Sequence, residues 1–377
     1  VHFLRFHQIR TFLFVIVKVK IPAHICIHIR NGYTIKKVFM KSYHVNLGAG
    51  LSGLTLKDHT IPTPGSHEVL IQVKASSLNY REIMILKGFY PLPVKPDVVP
   101  LCDGAGEVVG IGKAVTRVKV GDRVMGQVFP EWVDGPFALD YAAQLGGSMN
   151  GMLTEYAVLP ENAVLEIPPH LSYIEAAALP CAGLTAWNAL TGGSGLVAGQ
   201  TVLTLGSGGV SLFALQLAKA AGARVVATTS SEEKAAKLKA LGADEVINYV
   251  TQPDWHLAVR ELTGGQGVDH VVEVGGAGTA EKSIRSARME GEVAMIGSVA
   301  NDPVLFNINL ILYGMVNVRP VAIGSKAQFQ EMNNVIRVNN LQPVIDRVFQ
   351  FKAAAEAFTY YMQGKYFGKV VIDHTGL

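Results

Sequence analysis

Cysteine is scarce in this chain, and its spacing removes two classes of protein at once. Cys26, Cys102 and Cys181 are the three cysteines in 377 residues. They lie far apart with no C-x-x-C pair, which excludes a zinc ribbon and argues against a disulfide framework. A reducing compartment fits such usage: the cytoplasm, or the mitochondrion if residues 1–39 form a genuine leader. Charged residues make up only 17% of the chain, and acid is missing altogether from residues 1–39, which carry seven basic residues, Arg5, Arg10, Lys18, Lys20, Arg30, Lys36 and Lys37. Of the formal net charge of +3, the rest of the chain therefore contributes 26 basic against 30 acidic groups, and no nucleic-acid surface is indicated. No stretch reaches the roughly 18 uninterrupted apolar residues of a membrane-spanning helix. What remains is a globular chain long enough for two domains.

Residues 1–39 differ from everything after them. The run Thr11 to Val17 is too short for a signal peptide and lacks a small-residue cleavage pattern, and the segment has no serine. From Ile25 to Arg30 the text alternates like a strand rather than an amphipathic presequence helix. His24, Cys26 and His28 then share one strand face, which invites a metal reading, although alternation with any polar residue produces the same picture. Met40-Lys41-Ser42 reads as a native start, with residues 1–39 as an extraneous or targeting leader.

Thr201 to Tyr249 organises the remainder. Val202, Leu203 and Leu205 form an apolar run, Gly206-Ser207-Gly208-Gly209 a tight turn, and Val210, Phe213, Ala214, Leu217 and Ala218 a helical stripe. A second apolar run, Val225-Val226-Ala227, completes the length of a βαβ unit. Gly206 supplies a positive φ, Gly208 admits a pyrophosphate close to the backbone, and the helix start faces an anion. The third glycine of the dinucleotide fingerprint is missing, because position 211 is Ser211. Glycine turns of this kind also occur without a nucleotide.

Beyond the second apolar run the acid that would hold the ribose of NAD is also absent. Thr228, Thr229, Ser230, Ser231, Glu232, Glu233 and Lys234 stand there instead, hydroxyls with a lysine that suit a 2′-phosphate, so NADPH is the expected cofactor. Ser230 with Glu233 equally has capping-box spacing, and a helix start is itself an anion site. The cofactor residues expected from this unit are Gly206, Gly208, Gly209, Val210, Ser211, Ser230, Ser231, Lys234 and Tyr249. Val274, Gly275 and Gly276, with Ile296, Gly297 and Ser298, end two further apolar runs and are expected at the ligand edge of the sheet.

Before this unit, short alternating runs such as Glu68 to Val73, Gly106 to Val109 and Asp122 to Val124 are punctuated by Gly and Pro, which reads as a β-rich, barrel-like domain. Pro130 to Met152 is a long glycine-containing connection, expected as a wall over the substrate. Ala176 to Leu190 is helical text broken by Pro180 and Gly183. Strand candidates at Val268–Val274, Val293–Ile296 and Val318–Ile323 continue an alternation that argues a doubly wound parallel sheet. Helical text at Phe329–Val338 and Lys352–Met362 precedes a last strand at Lys369–Ile372.

Taken together, SSLNYREIMILKG (76 to 88), PLCDGAGEVVGIG (100 to 112), VKVGDRV (118 to 124), LPCAGLTAWNAL (179 to 190), the Thr201 unit, VVEVGGAGT (271 to 279) and FGKVVI (367 to 372) resemble the medium-chain dehydrogenase/reductase superfamily, in its quinone-reductase-like, zinc-type alcohol dehydrogenase-like branch. The resemblance runs from about Met40 to the end. It implies an α/β protein: a GroES-like barrel-type catalytic domain over 40–160, a Rossmann NADP-binding domain over 161–322, a catalytic return segment over 323–377, and a homodimer. It also places Thr185 near the nicotinamide, and Lys326 with Phe367, Gly368 and Lys369 at the closing edge of the cleft. Relatives with catalytic zinc carry their ligands at positions matching Asn79, Cys102 and Cys181. Asn79 is a poor ligand and two thiolates do not make a site, so no metal is expected unless Asp103 joins them. Asn79 and Tyr80 are then the expected catalytic hydrogen-bond donors to the oxygen of a quinone or α,β-unsaturated carbonyl, with Tyr80 as proton donor. An alcohol or aldehyde dehydrogenase, and a nucleotide-binding protein without turnover, are the alternatives.

Overall fold

A computed structural model describes residues 25–30, 33–297 and 307–376. The chain divides into two units, Val1–Phe39 and Met40–Leu377. In the first, the strand Ile25–Arg30 pairs antiparallel with the opening part of the strand Tyr33–His44, from Ile25 opposite Val38 to Arg30 opposite Tyr33. The side-chain arrangement of His24, Cys26 and His28 lies outside the described residues.

In the second unit six parallel strands form one sheet, in the order Glu245–Asn248, Arg224–Thr229, Thr201–Leu205, Val268–Glu273, Ala287–Met295 and Asn317–Pro320. By chain order this is 3-2-1-4-5-6, the doubly wound arrangement whose chain reversal opens a crevice at the carboxyl ends of the central strands. Helices cover both faces, so the central strands are apolar throughout: Val202, Leu203, Val225, Val226, Val271 and Val272 are fully buried. Thr201–Leu205 and Val268–Glu273 are neighbours here. That pairing brings the glycine turn after Leu205 beside Val274 and Gly275.

A second sheet of seven strands is built around Glu68–Ser77, which pairs antiparallel with Asp103–Ile111, Tyr156–Pro160 and the return strand Lys369–Asp373. Arg123–Gly126 and Val164–Glu166 extend it on one side and Ile345–Gln350 on the other. Through this pairing, the chain's last strand lies beside the segment that leads into the helix Tyr80–Lys87.

The broken text at Ala176–Leu190 becomes a short helix Tyr173–Ala176, a wide π-turn Leu179–Gly183 and a helix Leu184–Thr191. Pro180 has no N–H to donate, so the chain widens there instead of continuing as an α-helix. The widening turns Cys181 and Thr185 toward the crevice, where both line one cavity.

Candidate active site

The glycine turn opens onto free space. Gly206 sits at φ +72°, and a Cβ added at Gly206 or Gly208 meets no atom within 4 Å. Gly208 precedes the helix Gly209–Ala220, whose unpaired N–H groups and positive end face the same space. Where the fingerprint lacks its third glycine, Ser211 is buried and donates its Oγ hydrogen to Leu205 O at 2.6 Å, so the hydroxyl is satisfied by the preceding strand. A ligand with a pyrophosphate fits this turn through backbone groups alone.

Two cavities meet at the turn. One, of about 580 Å³, is lined by Gly206, Gly208, Thr228, Thr229, Ser230, Lys234, Tyr249, Val274, Gly275 and Lys282 among others. The other, of about 520 Å³, is lined by Asn79, Tyr80, Thr185, Gly208, Gly209, Val210, Ser211, Val274, Ile296, Gly297, Gly368 and Lys369, with a largely apolar wall. Gly208, Val274 and Tyr366 line both, so the two form a polar and an apolar chamber with a shared neck.

The polar chamber carries the charge pattern expected beyond the second strand, with one change of phase. Ser231, not Ser230, caps the helix Glu232–Ala240, accepting from Lys234 N at 3.3 Å. Ser230 is left lining the chamber, and Ser231 does not line it. Glu233 pairs with Lys237 and Glu232 accepts from Asn248, which leaves both acids engaged elsewhere. Lys234 Nζ donates to Tyr366 O at 3.1 Å, and burial pulls its pKa below the usual lysine range. Lys282, a second lysine on the wall, was not singled out by the sequence reading because it lies inside a helix, Ala280–Ser286, with no motif around it.

The floor under the neck is held by Glu273. This fully buried carboxylate accepts from Gly275 N at 2.6 Å, Gly276 N at 2.9 Å, Thr279 Oγ1 at 2.6 Å and Ser283 Oγ. Gly276 thus belongs to the loop's scaffold and does not line either cavity, whereas Val274 and Gly275 do. Ser298 lies outside the described residues.

In the apolar chamber the expected pair Asn79 and Tyr80 stands at the start of the helix Tyr80–Lys87. Tyr80 lines the wall, and the Asn79 amide is committed to neighbouring side chains. Its Nδ2 donates to Asp103 Oδ2 at 2.8 Å and approaches Cys102 Sγ at 3.7 Å, and its Oδ1 accepts from Lys369 Nζ at 2.6 Å. Lys369 is buried and also donates to Leu78 O at 2.7 Å and Asp103 Oδ2 at 3.2 Å. Asp103 Oδ2 further accepts from Ser77 Oγ at 2.7 Å, while Oδ1 accepts from Cys181 N at 2.8 Å and from Cys102 Sγ at 3.8 Å. Cys102, Asp103 and Cys181 offer ligand atoms within 4.8 Å of one another. Burial raises the Cys102 thiol well above its ordinary pKa.

Four further placements depart from expectation. Lys326 lines neither chamber; its Nζ donates to Asn162 O at 2.6 Å and burial lowers its pKa to about 8. Phe367 is buried under Lys237, 5.6 Å from the ring centre, and supports the closing segment from behind. The loop 130–152 contributes no residue to the chamber wall; Gln144 and Leu145 instead anchor Arg81, which also holds Tyr90. Asn79 is a positioning group, committed to Asp103 and Lys369. Gly368, by contrast, closes the cleft directly: its N–H donates to Ser207 O at 2.9 Å, across the turn. Thr185 lines the chamber and donates to Cys181 O at 2.6 Å.

With this geometry in hand, two family models match the chain: an alcohol dehydrogenase GroES-like domain over residues 65–169 and a zinc-binding dehydrogenase over 209–337. A zinc-type alcohol dehydrogenase-like protein of Schizosaccharomyces pombe is 42% identical over 335 residues, 86% of this chain and 96% of the relative. A chloroplast envelope quinone oxidoreductase homolog of Arabidopsis thaliana is 32% identical over 335 residues, 86% and 95% of the two chains. A solved NAD-dependent alcohol dehydrogenase superposes with a TM-score of 0.81 at 33% identity, covering 89% of this chain and 99% of its own. The chain belongs to the medium-chain dehydrogenase/reductase superfamily. Within it the chain falls in the quinone-reductase-like, zinc-type alcohol dehydrogenase-like branch, an oxidoreductase that uses a nicotinamide cofactor on a small-molecule substrate.

Proposed function

We propose that this protein is a zinc-independent, NADPH-dependent reductase of quinones or α,β-unsaturated carbonyls. The observation that carries the reading is the buried ammonium of Lys369 beside Asp103. Both Asp103 oxygens already accept hydrogen bonds, one of them from this cation at 3.2 Å. A divalent metal joining Cys102, Asp103 and Cys181 would have to displace these donors and sit beside the Lys369 ammonium. The buried cation and the engaged carboxylate weigh against a zinc ion there, and the proposed reaction runs without one.

A bound NADPH supplies the hydride. Gly206, Gly208 and the start of the helix Gly209–Ala220 hold its pyrophosphate, and Ser230 and Lys234, with Lys282 on the same wall, take the 2′-phosphate. Val274, Gly275, Ile296 and Gly297 leave room for the nicotinamide end, and Thr185 and Gly368 border it. In a quinone or enone the negative charge that follows hydride arrival spreads over the conjugated system, so one hydrogen-bond donor suffices where a simple ketone needs a stronger electrophile. Tyr80 supplies that donor and its proton, Asn79 and Lys369 fix the helix start that carries it, and the apolar wall keeps water from the reacting oxygen.

A panel of quinones, enones and aldehydes, followed by NADPH oxidation, tests the reading; turnover confined to alcohols or aldehydes overturns it. The convergence of Cys102, Asp103 and Cys181 within 4.8 Å favours a second reading as a zinc-dependent alcohol dehydrogenase. Metal analysis of the purified protein separates the two, and cofactor binding without any oxidation identifies a nucleotide-binding protein without turnover. The edge strand Asn317–Pro320 carries exposed Val318, with Leu312, Tyr313 and Met315 exposed just before it, and this apolar edge supports a homodimer. Sedimentation of the purified chain as a monomer would contradict the dimer.

A further inference from the structure

Away from the cleft, two side chains compete for a single lone pair on a third. His44, at the end of the strand Tyr33–His44, is buried with its Nδ1 2.9 Å from Asp97 O and 3.3 Å from Asp97 Oδ2. Both of those atoms only accept, so Nδ1 carries the hydrogen and Nε2 presents its lone pair. Two donors crowd that lone pair: Ser42 Oγ at 2.9 Å and His59 Nε2 at 2.9 Å. A neutral imidazole nitrogen has one in-plane acceptor direction, so hydrogen bonding alone leaves one of the two poorly served.

A cation resolves the competition. Two ligands bound at about 2.0–2.1 Å and at right angles to each other lie roughly 2.9 Å apart. That chord matches the observed separation of the two Nε2 atoms. An imidazole whose other nitrogen donates to a carbonyl and a carboxylate is also the outer-shell arrangement that orients a metal-bound histidine, here supplied by Asp97. Asp97 is itself fixed, its carboxylate pairing with Lys57 at 2.6 Å and its N–H donating to Asn46 Oδ1 at 2.7 Å. His59 is partly exposed and gives a path for entry.

We propose that His44 Nε2 and His59 Nε2 form a site for a divalent transition metal with right-angle ligand pairs, such as Ni²⁺ or Cu²⁺, with the Ser42 hydroxyl and water completing the shell. His59 turns its Nε2 hydrogen to Nδ1 on binding, so both rings ligate as neutral imidazoles. The site is separate from the Cys102, Asp103 and Cys181 group and uses no residue of either chamber. It fastens the segment after Leu92, through Asp97, to the sheet edge, and Tyr90, Pro91 and Leu92 at the head of that segment wall the apolar chamber.

The test uses the full chain stripped with a chelator and titrated with Ni²⁺ by calorimetry. One equivalent binds, raises the melting temperature, and binds at least tenfold more weakly to His59→Gln. If His59→Gln melts early in chelator, Cu²⁺-loaded wild type decides: its electron paramagnetic resonance spectrum shows coupling to two imidazole nitrogens. No saturable binding, unchanged affinity in a folded His59→Gln, or a thiolate charge-transfer band in the Ni²⁺ complex would overturn the site.

Discussion

In the proposed reaction Tyr80 and Lys234 carry the two chemical specificities, one at each end of the cleft. Removing the Tyr80 hydroxyl as Tyr80→Phe should lower kcat with an enone by roughly tenfold to a hundredfold and leave the KM for NADPH unchanged, measured by steady-state NADPH oxidation. Unaltered turnover would end the proton-donor role. Lys234 donates to Tyr366 O and faces the polar chamber. A charge-assisted bond of about 1.5–3 kcal/mol to a 2′-phosphate is at stake. Lys234→Ala should therefore raise the KM for NADPH at least tenfold while that for NADH stays put; equal effects on both would contradict the phosphate contact. The two residues differ in how readable they are. Lys234 follows a local strand-to-helix pattern, and the sequence placed it at the chamber. The commitment of Asn79 is different, because its partners Asp103 and Lys369 lie 24 and 290 residues away and no local pattern joins them.

The segment Gly364–Lys369 acts as one element across the cleft. Gly368 bonds to Ser207 O, Lys234 holds Tyr366 O, and Asp346 accepts Phe367 N at 2.9 Å. Gly368 adopts φ +102°, and a Cβ there would lie 2.3 Å from Val344 O. Gly368→Ala should cost about 1–3 kcal/mol by strain alone and loosen both substrates, read as a lower melting temperature with raised KM for cofactor and acceptor together. A melting temperature unchanged from wild type would show that the turn relaxes freely. At this scale the strand-turn-helix at Thr201 was legible because its glycines and apolar period coincide. The helix start after it was read one residue early, since Ser230 and Ser231 are chemically alike and only backbone geometry selects the cap. Lys326 was misplaced for a related reason: it opens the helix Lys326–Val338, and the burial of its side chain toward Asn162 depends on a contact 164 residues distant.

Across the molecule, the return strand Lys369–Asp373 completes the seven-stranded sheet between Glu68–Ser77 and Ile345–Gln350, and His374 follows it directly. Its Nε2 lies 2.8 Å from Ser76 Oγ and its Nδ1 3.1 Å from Thr154 O, both in the interior. Burial lowers its pKa from the ordinary 6.5 to about 4. The unfolded chain therefore takes up this proton first. The stabilisation is complete above about 6.5 and drains as pH falls toward 4, by roughly 3 kcal/mol at the acid limit. Denaturant titrations from pH 7 to 4 should show that loss in the wild type and a smaller one in His374→Gln; parallel curves would remove His374 from the account. The parallel order of the six-stranded sheet was legible from repeated apolar runs between helical stretches, as was the barrel text before it. The completion of the seven-stranded sheet was not, because it pairs Glu68–Ser77 with a strand some three hundred residues later.

The central claim is a reductase chemistry that Tyr80 and a committed Asn79–Asp103–Lys369 cluster support without zinc. Its most direct measurement is NADPH oxidation with a small quinone by chelator-treated protein whose zinc content has been determined. The account predicts full activity with zinc far below one equivalent. Activity that vanishes on chelation and returns with added Zn²⁺ in proportion to its binding at Cys102 and Cys181 would contradict it.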